Sequence, residues 1–179
     1  FNPVAVFNAL VQNYKSGKVV RGGSTLTQQV IRLARKGQNR TYFEKLIEFI
    51  LATRLEFRFS KDKILELYAA HAPFGGNVVG LEMAAWRYYG LKPNQLSWSE
   101  SATLAVLPNA PSLIFPGKNQ ELLLKKRNNL LFKLKESGSI DLETYHLALA
   151  EPLVGKPFPL PELAPHLVQK MAQTYGGRK

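Results

Sequence analysis

Apolar residues recur at helical spacing through most of the chain. Between positions 24 and 36, for example, Leu26, Val30 and Leu33 mark one face of a helix. Similar patterns predict helices over residues 3–14, 24–36, 41–58, 61–70, 79–89, 99–107, 120–136 and 142–149. The alternation of apolar and polar residues that marks a half-buried strand is nearly absent. The sequence therefore predicts an all-α fold.

Proline and glycine interrupt this helical pattern at two places. The segment 72–77 is rich in turn-forming residues and is predicted to be a loop. Five prolines between Pro152 and Pro165 exclude a continuous helix there. We therefore predict one domain over residues 1–151 and a Pro-rich linker over 152–179, leading towards a further domain. Because the chain opens on Phe1 without an initiating Met, we expect it to be part of a longer protein.

The composition is typical of a folded domain with a hydrophobic core, and it carries a strong positive charge. The chain has 179 residues, 45% of them hydrophobic, and no cysteine. The absence of cysteine excludes thiol nucleophiles and cysteine-ligated metal sites. The formal net charge is +11, and the segment from Lys15 to Lys63 holds twelve Lys or Arg against four Asp or Glu. Such a concentration of cations favours an anionic partner: nucleic acid, anionic lipid or a diphosphate.

Nucleic acid is the weakest of these partners. Binding of nucleic acid would need aromatic side chains within the basic segment, to stack on the bases. Trp86, Trp98 and most tyrosines lie outside that segment. We therefore expect no nucleic-acid partner. Other chemistries find little support, since the three histidines show no metal-ligand spacing and no catalytic-triad pattern. No run of the chain approaches the roughly 20 apolar residues that span a bilayer.

The segment from Arg21 to Gln29 is the most unusual in the chain. Two glycines are followed by Thr25 and Gln28, which have the spacing of a capping box at a helix start. A well-capped helix is the simple interpretation. Gln28, Arg32, Arg35 and Lys36 then continue at short helical steps. This basic stripe starts at a helix N-terminus, which favours binding of a phosphate or diphosphate.

A second candidate is the helix face formed by Arg40, Glu44 and Glu48, which are spaced four residues apart. One interpretation is a solvated face on which Arg40 compensates Glu44. The functional interpretation is that Glu48 projects towards the basic stripe, where it could bind a divalent metal or assist a proton or leaving-group step. We also expect Arg40 and Lys45 to keep Glu48 ionised. Glu66 is expected to pair locally rather than to act in catalysis.

These segments resemble four sequence motifs of one family: the peptidoglycan glycosyltransferase domain (glycosyltransferase family 51) of class A penicillin-binding proteins. The sequence of residues 72–76 is most similar to that of the 1C branch of the family. The matching segments are 22–29, 40–48, 63–90 and 107–111. The resemblance implies a lysozyme-like α-helical fold, with a large lobe and a smaller membrane-facing lobe around a long cleft.

The resemblance also implies an activity. Enzymes of this family polymerise lipid II into glycan strands with inversion at the anomeric carbon and release of undecaprenyl diphosphate. The expected partners are lipid II, the growing lipid-linked glycan, the membrane surface and a transpeptidase domain in the full-length chain. The expected location is the extracytoplasmic face of the cytoplasmic membrane.

The resemblance assigns roles to individual residues. Glu48 is the expected catalytic residue of this chain, associated with the leaving diphosphate or with a divalent metal, Mg or Mn. The expected substrate-binding residues are Ser24, Thr27, Gln28, Gln29, Arg32, Arg40 and Lys45. The family's general base belongs to a first motif that would end upstream of Phe1, so we expect this chain alone to be inactive. Glu44 stands where many members of the family have arginine.

Two other functions remain open from the sequence. A lysozyme-like lytic transglycosylase would share the fold, although cleavage of a neutral glycan does not need the basic stripe. A non-catalytic scaffold that binds lipid II or other synthases would be consistent with Glu44.

Overall fold

The computed structural model describes residues 24–35, 41–159, 170 and 173–174. The described part is mostly helical, which confirms the all-α prediction. Its helices are α1 (Leu26–Ala34), α2 (Tyr42–Arg58), α3 (Lys61–His71), α4 (Leu81–Tyr89), α5 (Trp98–Val106), α6 (Gln120–Glu136) and α7 (Leu142–Ala150). Short 3₁₀ turns lie at Pro93–Gln95 and Leu107–Asn109. The helix predicted over residues 3–14 lies outside the described residues.

Side-chain caps explain why several helices begin where they do. Thr25, Thr41, Ser60, Ser97 and Asp141 each accept a hydrogen bond from the backbone N–H three residues later. Such a cap pairs one of the donors that a helix N-terminus leaves without an intrahelical partner. Because these signals are local, the predicted starts agree with the structure to within about two residues.

A small hairpin starts within the predicted loop over residues 72–77 and extends to Val79, which corrects the sequence prediction. Strand β1 (Pro73–Gly75) pairs antiparallel with β2 (Val78–Val79). Val79, predicted to start a helix, belongs to β2, and α4 starts only after Gly80. Gly80 has φ +88°, and a Cβ there would lie 2.8 Å from the carbonyl oxygen of Ala70. Two- and three-residue strands are too short to show a periodic pattern.

Helices α4 to α7 and the hairpin form the apolar body of the molecule. The main cluster contains buried residues from the hairpin and from α4 to α6, including Phe74, Ala85, Leu104 and Leu123. A second cluster joins α5, α6 and α7. The buried Tyr88 donates its hydroxyl to the carbonyl oxygens of Phe74 and Gly75, at 3.1 and 2.9 Å, and so fixes the hairpin on α4.

Helices α1, α2 and α3 form a layer of different character. Helix α1 packs against both α2 and α3. The buried apolar side chains of these three helices are Ala52 and Ile64, whereas Thr27, Gln28 and Glu48 are buried polar residues. Polar contacts therefore contribute much of what joins α1 to its neighbours.

The first residues of the predicted linker contact the body. Gln120 Nε2 donates to the carbonyl oxygen of Val154 at 2.9 Å. The backbone N–H of Phe158 donates to the carbonyl oxygen of Arg87 at 2.8 Å. Leu153 packs against the main cluster. The domain boundary at residue 151 stays a prediction. None of the described helices combines the length and apolar character that crossing a membrane requires.

Candidate functional site at the α1–α2 interface

The N-terminus of α1 is closed by a capping box, as the sequence predicts. The backbone N–H of Gln28 donates to Thr25 Oγ1, and the N–H of Thr25 donates to Gln28 Oε1 at 3.1 Å. Gln28 is buried. Its carboxamide oxygen therefore shapes the helix start, and its predicted contact with substrate stays a prediction. The glycines before Ser24 lie outside the described residues.

Arg32 and Glu48 form the centre of the site. Arg32 Nε donates to Glu48 Oε1 at 2.9 Å, and Nη2 donates to Oε2 at 3.2 Å. Glu48 is only 5% exposed, whereas the side chain of Arg32 is 39% exposed. Glu48 thus projects towards the basic stripe, as the functional interpretation requires, and it holds a guanidinium that remains open to solvent.

A second pair lies one helical turn away. Arg35 Nε donates to Glu44 Oε1 at 2.6 Å. This hydrogen bond is the main reason that the pKa of Arg35 rises above its ordinary value. Arg40, the residue that one interpretation paired with Glu44, lies outside the described residues, as does Lys36. The described carboxylate partners of the stripe are therefore Glu44 and Glu48.

The other predicted substrate-binding residues are placed by contacts between helices. Lys45 Nζ donates to Ser24 Oγ at 2.6 Å. The hydrogen bonds that Glu48 accepts come from Arg32, and the expected effect of Lys45 on Glu48 stays a prediction. Gln29 Oε1 accepts a 3.4 Å hydrogen bond from the hydroxyl of Tyr68 on α3. Burial raises the pKa of Tyr68 above its ordinary value.

Sequence reasoning missed one acidic residue of this interface. Thr27 Oγ1 donates to Glu56 Oε1 at 2.6 Å. Glu56 follows Glu48 by eight residues, close to two helical turns, so both lie on the same side of α2. That spacing could have identified Glu56. As expected, Glu66 pairs locally, with Lys63 Nζ at 2.8 Å.

The arrangement does not form a ready metal centre. Both oxygens of Glu48 accept hydrogen bonds from Arg32, which uses two of the roughly four lone-pair sites of the carboxylate. In the described part of the chain, no group of three or more His, Asp or Glu side chains could hold an ion. The divalent metal expected at Glu48 stays a prediction, and no step of the proposed mechanism uses one.

The described groups are suited to binding an anion. Arg32 uses two of its five N–H donors on Glu48, and its side chain is 39% exposed. Arg35 lies three residues further along the chain, a spacing that makes side chains neighbours on a helix surface. Guanidinium groups bind phosphate oxygens through strong, charge-assisted hydrogen bonds. The site can therefore hold a phosphate or diphosphate at the surface of α1.

Comparison with known proteins decides the family. The family model described as "Transglycosylase" matches residues 1–135. The chain belongs to the transglycosylase family. The match spans the basic stripe, α2 and most of the apolar body, and it confirms the resemblance on which the residue assignments rest.

Relatives of this transglycosylase chain carry names of penicillin-binding proteins. It is 41% identical to penicillin-binding protein 1C of Escherichia coli K12, over 92% of the chain and 21% of that protein. It is 39% identical to penicillin-binding protein 1A of Aquifex aeolicus, over 87% of the chain and 21% of that protein. The chain thus spans about a fifth of the length of these relatives.

A solved structure supports the fold. The crystal structure of penicillin-binding protein 1A from Haemophilus influenzae is similar with a TM-score of 0.54 and 25% identity. The similarity covers 87% of this chain and 20% of that chain. The expected similarity to the 1C branch and the helical glycosyltransferase fold are both confirmed.

Proposed function

We propose that this chain is the peptidoglycan glycosyltransferase part of a class A penicillin-binding protein and polymerises lipid II with release of undecaprenyl diphosphate. The family match and the names of the relatives support this function. The observation that carries it is the half-exposed Arg32, held by the buried Glu48 beside Arg35. Together they form an oriented cationic surface for a diphosphate.

The transfer would proceed by inversion. The 4-hydroxyl of the acceptor attacks the anomeric carbon of the lipid-linked donor, the new C–O bond forms, and the bond to the diphosphate breaks. The hydroxyl proton would go to the base that the resemblance places in the family's first motif. Negative charge grows on the departing diphosphate, and donors fixed in advance stabilise such charge most effectively.

Arg32 and Glu48 have separate tasks in this proposal. Arg32 contacts the diphosphate oxygens through its exposed donors. Glu48 fixes the plane and rotamer of Arg32 through its two hydrogen bonds, so that little reorganisation is needed during the transfer. In the described geometry Glu48 therefore acts as a positioning residue. A magnesium or manganese ion stays an untested expectation, to be checked by chelation and re-addition during the assay.

The proposed location is the outer face of the cytoplasmic membrane, with α2 lying against the lipid. One side of α2 contacts α1 through Glu44 and Glu48, and the other carries exposed apolar side chains. The exposed set is Tyr42, Phe43, Leu46, Phe49, Ile50 and Phe57. An apolar stripe flanked by Lys45, Arg54 and Arg58 is typical of helices that lie in the interface of anionic membranes.

Vesicle binding tests this membrane contact. We expect the chain to float with vesicles containing anionic lipid, and the double substitution Phe43→Ser/Phe57→Ser to reduce the bound fraction several-fold. Leu142→Ser/Leu147→Ser is the matched control, because these exposed side chains lie on α7. Equal losses in both variants would contradict a specific role for α2.

A lipid II polymerisation assay tests the activity. The chain, preceded by the family's first motif, should make glycan strands, and Arg32→Gln should slow this at least tenfold. Lys125→Gln, on the exposed side of α6, removes the same charge and should have no effect. Cleavage of finished glycan would instead indicate a lytic transglycosylase, and binding of lipid II without turnover would indicate a scaffold.

The transpeptidase partner is proposed from the length and names of the relatives. The matched part covers about a fifth of each, and their names describe penicillin binding. We infer that the full-length form of this protein also carries a transpeptidase domain. Labelling of that form with a fluorescent penicillin would test the inference.

A further inference from the structure

The two ion pairs between α1 and α2 differ in how firmly they hold their arginine. Glu48 is buried and accepts from Arg32 through both oxygens. Glu44 accepts from Arg35 through one short hydrogen bond, at the first turn of α2. Arg35 thus donates to a single carboxylate oxygen near the start of α2, and Glu48 adds a smaller electrostatic attraction.

The Arg35–Glu44 pair is one of several contacts between α1 and α2. The same helices are also joined by Thr27 to Glu56 and by Arg32 to Glu48. A partly exposed ion pair contributes little to stability. The larger consequence of Glu44 is electrostatic, because it places a negative charge beside the cations that the proposed function assigns to a diphosphate.

We propose that Glu44 is a built-in competitor of the diphosphate for Arg35, an inference that rests on the proposed function. The Nε–H of Arg35 points at Glu44 Oε1 and cannot donate a second strong hydrogen bond at the same time. An incoming diphosphate must either displace Glu44 or bind the other donors of Arg35 next to a like charge. Both routes weaken binding and make it an exchange of carboxylate for phosphate.

The proposal predicts that residue 44 sets the affinity of the site. Glu44→Gln should raise the affinity for a diphosphate by about three- to tenfold at low salt, because one nearby negative charge is removed. The gain should shrink as salt rises, since screening weakens interactions between solvent-exposed charges. Glu44 would thereby favour release of the diphosphate after transfer.

Calorimetric titration with inorganic pyrophosphate and with farnesyl diphosphate tests this prediction, with farnesol as the uncharged control. Glu66→Gln is the matched variant, because it makes the same charge change in a pair with Lys63 on α3. A gain for Glu44→Gln with no gain for Glu66→Gln is expected. Equal gains would show an effect of net charge alone and overturn the proposal, as would no gain for Glu44→Gln.

A double-mutant cycle supplies a second test. In the original sequence Arg35→Gln should reduce pyrophosphate affinity only slightly, because Glu44 already occupies Arg35. In the Glu44→Gln background the same substitution should reduce it several-fold more. Additive effects would overturn the proposal. Melting curves accompany each variant, and Glu44→Ala replaces Glu44→Gln in the cycle if the latter melts early.

The outcomes separate this proposal from the proposed function. A longer chain that polymerises lipid II but shows no coupling between residues 35 and 44 would retain the function and overturn the competition. A chain that shows the coupling but does not polymerise lipid II would retain the anion site and overturn the function. Pyrophosphate that binds none of the variants would overturn the role of Glu44.

Discussion

The α1–α3 layer and the α4–α7 body are built on opposite principles. The body buries apolar side chains in two clusters. The layer buries Thr27, Gln28 and Glu48 and leaves large apolar side chains of α2 exposed. Burial of apolar surface stabilises the body without any partner outside the chain. We propose that the layer instead serves partners outside itself, anions at α1 and lipid at α2.

Two arginines show the same contrast within one residue type. Arg127 is 1% exposed and donates to Ser99 Oγ and to the carbonyl oxygens of Leu149 and Glu151. Burial lowers the pKa of Arg127 below its ordinary value. A buried cation without hydrogen bonds has a large free-energy cost, so Arg127 cannot give up these contacts to bind another group. Arg32, half-exposed and paired with a carboxylate, can take a second anion.

The largest expected effect is in the body. Arg127→Met should lower the free energy of unfolding by about 3 kcal/mol, because the carbonyl oxygens of Leu149 and Glu151 lose their donor in a buried place. Chemical denaturation measures this change. Lys125→Met on the exposed side of the same helix should change stability by less than about 0.5 kcal/mol. A similar loss in both variants would contradict the contrast.

Tyr88→Phe should have the next largest effect. Removing its hydroxyl leaves the carbonyl oxygens of Phe74 and Gly75 without this donor, and we expect a cost of about 1–2 kcal/mol. Tyr42→Phe is the control, since Tyr42 is 97% exposed. Thermal melts compare the two variants. An unchanged melting temperature in Tyr88→Phe would show that packing alone holds the hairpin.

Two tyrosines, Tyr88 and Tyr89, predict a loss of stability in alkali. Burial raises the pKa of Tyr88 and of Tyr89 to about 12, from an ordinary value of 10.0. The fold favours the neutral phenols, so their contribution is complete below pH 10 and is lost as the pH rises towards 12. Denaturation midpoints across that range should fall. The fall should be smaller in Tyr88→Phe. An equal decrease of the midpoint with pH in the original and the variant protein would contradict the assignment to Tyr88.

Glu48→Gln tests the layer. We expect a stability cost of about 1 kcal/mol, below that of Arg127→Met, because Arg32 keeps its access to water. In a chain that includes the first motif, lipid II turnover should fall tenfold or more, equal to about 1.4 kcal/mol of transition-state stabilisation. Glu66→Gln should change neither quantity. A large loss of stability with unchanged turnover would make Glu48 a structural residue only.

The smallest effect is expected on the exposed face of α2. Phe57 is 89% exposed, so Phe57→Ser should change the free energy of unfolding by less than about 0.5 kcal/mol. Its effect should appear in vesicle binding instead. A marked destabilisation in solution would show that Phe57 contributes to the fold and weaken the contrast between layer and body.

Local sequence signals predicted most of the fold. Helix α6 occupies the predicted residues, and α1, α2, α3, α5 and α7 differ by one or two residues at their ends. Caps and spacing act over three or four residues, so they can be identified in the sequence. The hairpin escaped prediction because its strands depend on pairing across the turn at Gly76 and Asn77 rather than on a periodic pattern.

The site was predicted only in part. The sequence identified Gln28, Arg32, Glu44 and Glu48 as chemically unusual, and the structure brings both arginine–carboxylate pairs together. Glu56 was missed because its partner Thr27 is 29 residues away along the chain. Arg40 lies outside the described residues, and its role stays a prediction.

The sequence by itself determined the helical architecture, the basic segment and the membership of the family, because spacing, charge and motif order are properties of the chain. Only the tertiary structure decided which carboxylate meets which arginine, and that Glu48 is buried while Arg32 remains half-exposed. Partner choice depends on the angle and rotation at which α1 meets α2. Contacts across many parts of the chain set those two quantities, and no local pattern records them.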